Sequence, residues 1–125
     1  MSPRSAGATQ HELSRVGLLA TLPGETLARL AARMEREEIP AGAGVVHEGE
    51  PGERFYVVLS GMFAVSQASR GAQAVLRPGD YFGEVALAMN IPRTASVRAL
   101  TPATVASCDR ATFDELVRPL FADDP

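Results

Sequence analysis

The sequence predicts a mainly β domain with flanking α-helices. The expected architecture is an antiparallel β-roll of jelly-roll, double-stranded β-helix type. N-terminal helices, one short helix between late strands and a C-terminal helix complete it. Three observations carry this. Apolar residues recur at three- and four-residue spacing up to about residue 36, then at two-residue spacing from Glu37 onward. Glycine and proline corners interrupt the second region at short intervals. A helical pattern of several turns returns over 111–121. Many short strands with Gly-rich corners favour a small rolled or closed antiparallel sheet.

The elements follow in order. Residues 1–9 are small and polar and read as a disordered lead-in to a domain over 10–125. Over 10–19, Leu13, Val16 and Leu19 fall on one face of a short helical segment. The strongest helix spans 21–36, opened by Thr21 or by Pro23-Gly24. Its Leu27, Leu30, Ala31 and Met34 form the packing stripe, while Glu25, Arg29, Arg33 and Arg36 face water. Strands are expected at 37–39, 44–48, 54–60, 62–67, 72–77, 94–99 and 103–108. A short apolar helical turn is expected at 85–89. The last helix, 111–121, carries Phe113, Leu116, Val117 and Leu120 on one side, with Pro119 kinking or ending it.

Composition narrows the class. The chain has 125 residues, 46% of them hydrophobic and 22% charged, enough for one globular domain with a real core. No apolar run approaches membrane-spanning length, and the N-terminus has no hydrophobic signal core. A net charge of −3 does not favour direct nucleic-acid binding. Every basic residue is Arg, which reads as codon bias rather than chemistry. Cys108 is the lone cysteine, so an internal disulfide and a CxxC redox pair are excluded. A reducing, cytoplasmic location is expected, either free or as the cytoplasmic part of a membrane protein.

The most informative stretch is 82–99, FGEVALAMNIPRTASVRA. Gly83 lets the backbone approach a ligand closely. The first turn of the helix offers unpaired amide N–H groups to an anion. Arg93, nine positions after Glu84, brings a planar fork of donors to the same anion. Glu84 is a poor neighbour for a phosphate unless its carboxylate meets something else, and a sugar hydroxyl is the natural partner. An anion, a diol oxygen and an apolar surround describe a nucleotide whose phosphate and ribose lie side by side.

This stretch strongly resembles the phosphate-binding cassette of the cyclic nucleotide-binding domain family. That family includes protein kinase A regulatory subunits, catabolite activator-type regulators and cyclic-nucleotide-gated channels. The family pattern reads approximately F-G-E-x-A-L-x(3–5)-P-R-x-A-x-V-x-A. Phe82, Gly83, Glu84, Ala86, Leu87, Pro92, Arg93, Ala95, Val97 and Ala99 match it. HEGEPGERFYVVLSG, residues 47–61, resembles a second family block, and the likeness extends over roughly 12–120. The resemblance implies a cyclic nucleotide-binding β-roll over 10–125, a regulatory sensor rather than an enzyme. Its ligand would be cAMP, or less favourably cGMP, with no metal. The ligand-binding set is Phe82, Gly83, Glu84, Val85, Ala86, Arg93, Thr94 and Ala95. Thr94 follows the arginine directly. By resemblance, Thr there goes with cGMP preference in some eukaryotic members, while bacterial members with Ser or Thr often take cAMP. The expected host is a bacterial channel, transporter or regulator, whose effector lies in an attached domain or a partner chain. In the family a helix after the barrel closes over the purine. Most of it is expected to be missing beyond FADDP, leaving the base partly exposed.

Rival readings stay open at this point. A degenerate family member would act as a protein-interaction module, against which intact Glu84 and Arg93 speak. A cupin-like metal-binding protein would share the β-roll but need several N/O ligands, and His11 and His47 are scattered. A DNA-binding regulator would need a helix-turn-helix. Arg93 alone would be a surface arginine, Glu84 a helix cap, and Gly49, Gly52 and Gly61 structural turn residues. Ser96 alternates with Thr94 and is the weaker candidate for the same role.

Overall fold

The apolar stripes of the N-terminal part fold as helices, in shorter pieces than their period predicts. In a computed structural model, which describes residues 5–6 and 10–121, a two-residue strand β1 (Ser5–Ala6) comes first. It pairs with Arg36 and Glu35. The rest of the expected lead-in, and residues 122–125, lie outside the described residues. Helix α1 spans Gln10–Ser14, and a 3-10 turn covers Leu19–Thr21. The single helix expected over 10–19 is interrupted around Gly17, where helix formation is least favoured. Its apolar face is as predicted, because Leu13, Val16 and Leu19 are all buried. Helix α2, Gly24–Arg33, starts after Pro23 and buries Leu27, Leu30 and Ala31.

Helix α2 stops at Arg33 rather than Arg36. Met34 turns extended, and β2 (Glu35–Ile39) enters a sheet against Ala103–Ser107. The run Glu-Arg-Glu-Glu has good helix propensity, and pairing with a buried strand overrides it. The remaining strands are β3 (Gly44–Val46), β4 (Arg54–Ser60), β5 (Phe63–Gln67), β6 (Gly71–Leu76), β7 (Tyr81–Phe82), β8 (Ser96–Ala99) and β9 (Ala103–Asp109). Helix α3, Glu84–Met89, lies between β7 and β8. Among the described residues all pairings are antiparallel, in two sheets ordered β1-β2-β9-β4-β7 and β3-β8-β5-β6. This is the predicted β-roll. The two-residue strand β7 has no alternation to read and was not expected. Strand β8 begins at Ser96, so Thr94 and Ala95 stay in the preceding loop.

Strand β4 is buried on both faces. Phe55 and Val57 pack with the helices, alongside Leu30, Cys108 and Phe113. Tyr56 and Val58 point the other way, into the roll, with Phe63, Phe82 and Val105. Strand β9 alternates in the same manner. One central pair of strands therefore walls off two cores.

The C-terminal helix is composite. Asp109 caps α4 (Arg110–Thr112), its Oδ1 accepting the Thr112 N–H at 2.9 Å. The chain then widens into a π-helical turn, Phe113–Val117, and tightens into a 3-10 turn, Arg118–Phe121. Sequence predicted one helix over 111–121, kinked or ended early by Pro119. Pro119 has no N–H to donate to Glu115, and the ladder around it takes wider and tighter turns instead. Phe113, Leu116 and Val117 are buried as expected.

Candidate functional site

The cassette is built around a left-handed glycine. Gly83, at φ +95°, ends β7 and starts α3. A Cβ there would stand 2.8 Å from both the Arg54 carbonyl oxygen and Arg93 Nη1, so no other residue fits. Helix α3 is six residues long and ends at Asn90, also left-handed. The chain then returns through 91–95 to β8. Between the cassette and the roll lies a cavity of about 180 Å³. Phe82, Gly83, Glu84, Val85, Ala86, Arg93, Thr94 and Ala95 all line it. Val46, Val65, Leu76, Tyr81 and Val97 supply the rest of its wall. The candidate residues chosen from sequence thus share one cavity.

Arg93 is the most constrained of them, at 7% exposure. Its Nη1 donates to the Gly83 carbonyl at 3.1 Å and its Nη2 to the Arg54 carbonyl at 2.9 Å. The guanidinium lies over the Tyr56 ring, 5.9 Å from the centroid. Its backbone is locked as well: Arg93 N–H donates to the Glu50 carbonyl, and Gly49 N–H donates to the Arg93 carbonyl, both at 2.8 Å. This explains the second sequence block, because the 47–61 segment clamps the arginine in place. Gly52 belongs to the clamp. A Cβ at Gly52 would meet Ala86 Cβ at 2.5 Å and Arg93 Cζ at 3.0 Å. Sequence reading treated Gly52 as a turn glycine, and its close approach to Arg93 is visible only in three dimensions.

Burial lowers the Arg93 pKa, with Tyr56, Glu53 and Glu84 acting against that shift. Arginine starts so high that the group stays a cation. Glu84 is raised above its ordinary value, chiefly by burial, while the amides of Glu84 and Val85 and the charge of Arg93 pull it back. The carboxylate and the guanidinium therefore sense one another inside the same cavity. Tyr81, which sequence did not single out, is pushed up by burial and by the charges of Glu84 and Asp80.

The loop end of the cavity is tied down by polar bonds. Gln67 Nε2 donates to the Thr94 carbonyl at 2.8 Å. The Ser96 hydroxyl accepts the Glu48 N–H at 3.0 Å, which spends it on the neighbouring loop. Among the described residues, no group of three or more His, Cys, Asp or Glu is placed to hold a metal. His47 is exposed and paired with Glu50 at 3.0 Å. Cys108 is buried and its thiol is pushed up to about 12, mainly by burial. No described helix is long and apolar enough to cross a membrane.

Comparison with known proteins agrees with this geometry. A family model described as "Cyclic nucleotide-binding domain" matches residues 36–119. The cAMP-dependent protein kinase regulatory subunit of Debaryomyces hansenii is 39% identical over 117 residues, covering 90% of this chain and 26% of the relative. The regulatory domain of Toxoplasma gondii protein kinase A, solved with cAMP, superposes with a TM-score of 0.85 at 28% identity, covering 89% of this chain and 44% of that one. A regulatory subunit of a cAMP-independent protein kinase A from Trypanosoma cruzi, bound to guanosine, gives a TM-score of 0.81 at 28% identity, covering 92% and 44%. The chain spans about a quarter of the length of the curated relatives it matches. These relatives are fungal and protozoan kinase regulatory subunits, and the expectation of a bacterial channel, transporter or regulator as host finds no support among them.

Proposed function

The chain belongs to the cyclic nucleotide-binding domain family, and from that premise we propose that it is a regulatory sensor that binds a cyclic mononucleotide, cAMP ahead of cGMP. The observation that carries this is the shared cavity, with a buried arginine and a glutamate on one short stretch of chain. Arg93 meets the cyclic phosphate with charge-assisted bonds, aided by amides of the cassette turn. Glu84 accepts from the ribose 2′-hydroxyl. The apolar wall of Val46, Val65, Leu76 and Val97 takes the sugar and the near edge of the base.

Volume supports a division of labour within the ligand. Sites that enclose a whole small molecule run to roughly 300–1,000 Å³. A cavity of about 180 Å³ suits phosphate and ribose, with the purine at its mouth. Selectivity then rests on phosphate and sugar more than on the base. Thr94, exposed at the rim, is the polar side chain that remains for the base or an exocyclic oxygen.

Ligand entry shifts the balance between two arrangements of the cassette and the helices against it. The output is carried by an effector outside this chain, in the cytoplasm. The kinase relatives make a protein kinase catalytic subunit the first effector to test. The protein binds its nucleotide and does not turn it over.

Calorimetric titration with cAMP, cGMP, 5′-AMP and a cyclic dinucleotide tests this. Both cyclic mononucleotides should bind and be recovered unchanged, with 5′-AMP and the dinucleotide far weaker. Binding by none of the four would favour a protein-interaction module instead.

A further inference from the structure

The short cassette helix is held from behind by two arginines of the C-terminal segment. Helix α3 is too short to satisfy its own last carbonyls. Its cap settles one of them: the amides of Asn90 and Ile91 both reach the Ala86 oxygen. The next two are taken by guanidinium groups. Arg118 Nη1 donates to the Ala88 carbonyl and Nη2 to the Leu87 carbonyl, each at 3.0 Å. Arg110 Nη1 reaches the same Leu87 oxygen at 3.3 Å, and its Nη2 reaches the Gly52 carbonyl at 3.1 Å. Cations at a helix C-terminus also complement its dipole.

Arg118 is itself pinned. Asp114 Oδ1 accepts from its Nε at 2.9 Å and its Nη2 at 2.8 Å. Its guanidinium lies over the Phe113 ring at 5.6 Å. In the same segment, Glu115 accepts from Arg29 and Arg33 of helix α2. Exposed ion pairs contribute little to stability by themselves. Bonds from a pinned fork to the end carbonyls of a helix do something different, since they fix where that short helix sits relative to the C-terminal segment.

We infer that Arg118, assisted by Arg110, is a positioning residue that makes the cassette helix and the C-terminal segment move as one unit. This rests on the sensor reading given above and deepens it. It assigns the link between the pocket and the C-terminal segment to a guanidinium on two backbone carbonyls, rather than to apolar packing alone. Tyr81, a cavity wall residue, meets the Phe121 ring edge-on, with ring centroids 5.7 Å apart, and is the apolar counterpart of this link. Gly52 joins the unit through Arg110, so the loop that clamps Arg93 is included.

Hydrogen exchange on the full chain tests it. In nucleotide-free protein, Arg118→Leu should speed exchange of the amides over 86–91 and 110–121 together, by about tenfold, the effect of losing one charged hydrogen bond. Arg118→Lys should recover part of the protection, because an ammonium keeps the charge and donors but lacks the rigid planar fork that spans both carbonyls. Glu115→Gln leaves the Arg118 fork in place, so any faster exchange over 110–121 should be shared by 86–91. Exchange over 86–91 within twofold of wild type in Arg118→Leu would overturn the inference. So would a uniform rise that includes β4 and β9, which would mark plain destabilisation. If Arg118→Leu does not fold, Asp114→Asn frees the same guanidinium and should give the same joint pattern, and a change confined to 110–121 would again overturn it. Titration of wild type and Arg118→Leu with cAMP runs alongside, with affinity expected to fall about tenfold. Wild type that binds neither cAMP nor cGMP removes the sensor reading, while the exchange pattern still decides the mechanical link.

Discussion

Replacing Gly52 with alanine adds one methyl at the point where the cassette helix, the buried arginine and the 47–61 loop converge. The added carbon would sit 2.5 Å from Ala86 Cβ and 3.0 Å from Arg93 Cζ and Nε. Carbon pairs prefer about 3.5–4.0 Å, so something must retreat by roughly 1 Å. Overpacking of this kind costs about 1–3 kcal/mol. The Arg93 side is confined by its bonds to the Gly83 and Arg54 carbonyls, and Ala86 is buried on a helix held by Arg110 and Arg118. Either retreat displaces a cavity wall. The variant should therefore lose about 1–3 kcal/mol in urea unfolding and about tenfold or more in cyclic nucleotide affinity by calorimetry. Gly17→Ala is the control, since nothing lies within 4 Å of its added carbon. It should be neutral or gain up to about 1 kcal/mol through the unfolded chain. A Gly52→Ala protein as stable as Gly17→Ala, with wild-type affinity, would refute this account of the clamp.

Arg93→Ala should weaken cAMP by about 2–5 kcal/mol, the range for truncating one partner of a buried charge pair, and should also cost about 2–4 kcal/mol of ligand-free stability as two carbonyls lose their donor; affinity within threefold of wild type in the folded variant would contradict the phosphate assignment. Glu84→Gln should weaken ribonucleotides while changing a 2′-deoxy analogue little, and equal binding of both sugars by wild type would remove Glu84 from the ribose. The Glu115 carboxyl is held below its ordinary value, first by Arg33 and then by Arg29. A depressed carboxylate contributes stability above its unfolded pKa and loses it as pH falls through the folded one. The melting-temperature gap between wild type and Glu115→Gln should accordingly be largest near neutrality and close on acidification, and a gap that widens in acid would reverse the sign of the argument.

The parts of the fold that were legible in the sequence are those where one local pattern suffices. Strand β4 matches its predicted span because an unbroken apolar run between Arg54 and Ser60 has few other readings. The stripe of α2 was legible for the same reason, yet its end was not: Glu35 and Arg36 look helical until a strand seventy residues away pairs with them. The cavity was legible because Gly83, Glu84 and Arg93 each need a special residue type at a fixed place. Tyr81 was missed, since a two-residue strand leaves no period, and Gly52 was under-read, since its constraint comes from Ala86 and Arg93. Arg110 and Arg118 carry no motif at all, and only the carbonyls they face give them meaning.

The double-faced burial of β4 and β9 has a kinetic consequence. Cys108 sits on β9 in the helical core, with 0% exposure and its thiol held protonated by burial. Thiolate is the reactive form, so labelling must wait until that wall opens. Because the same wall closes the roll behind Phe82 and Val97, it cannot open on the helical side alone without disturbing the ligand cavity. The labelling rate of this lone thiol then becomes a clock for global opening, and a nucleotide that binds only the closed form should slow it by the factor 1 + [L]/Kd. A chain without tryptophan or any attached probe thus carries its own reporter of occupancy.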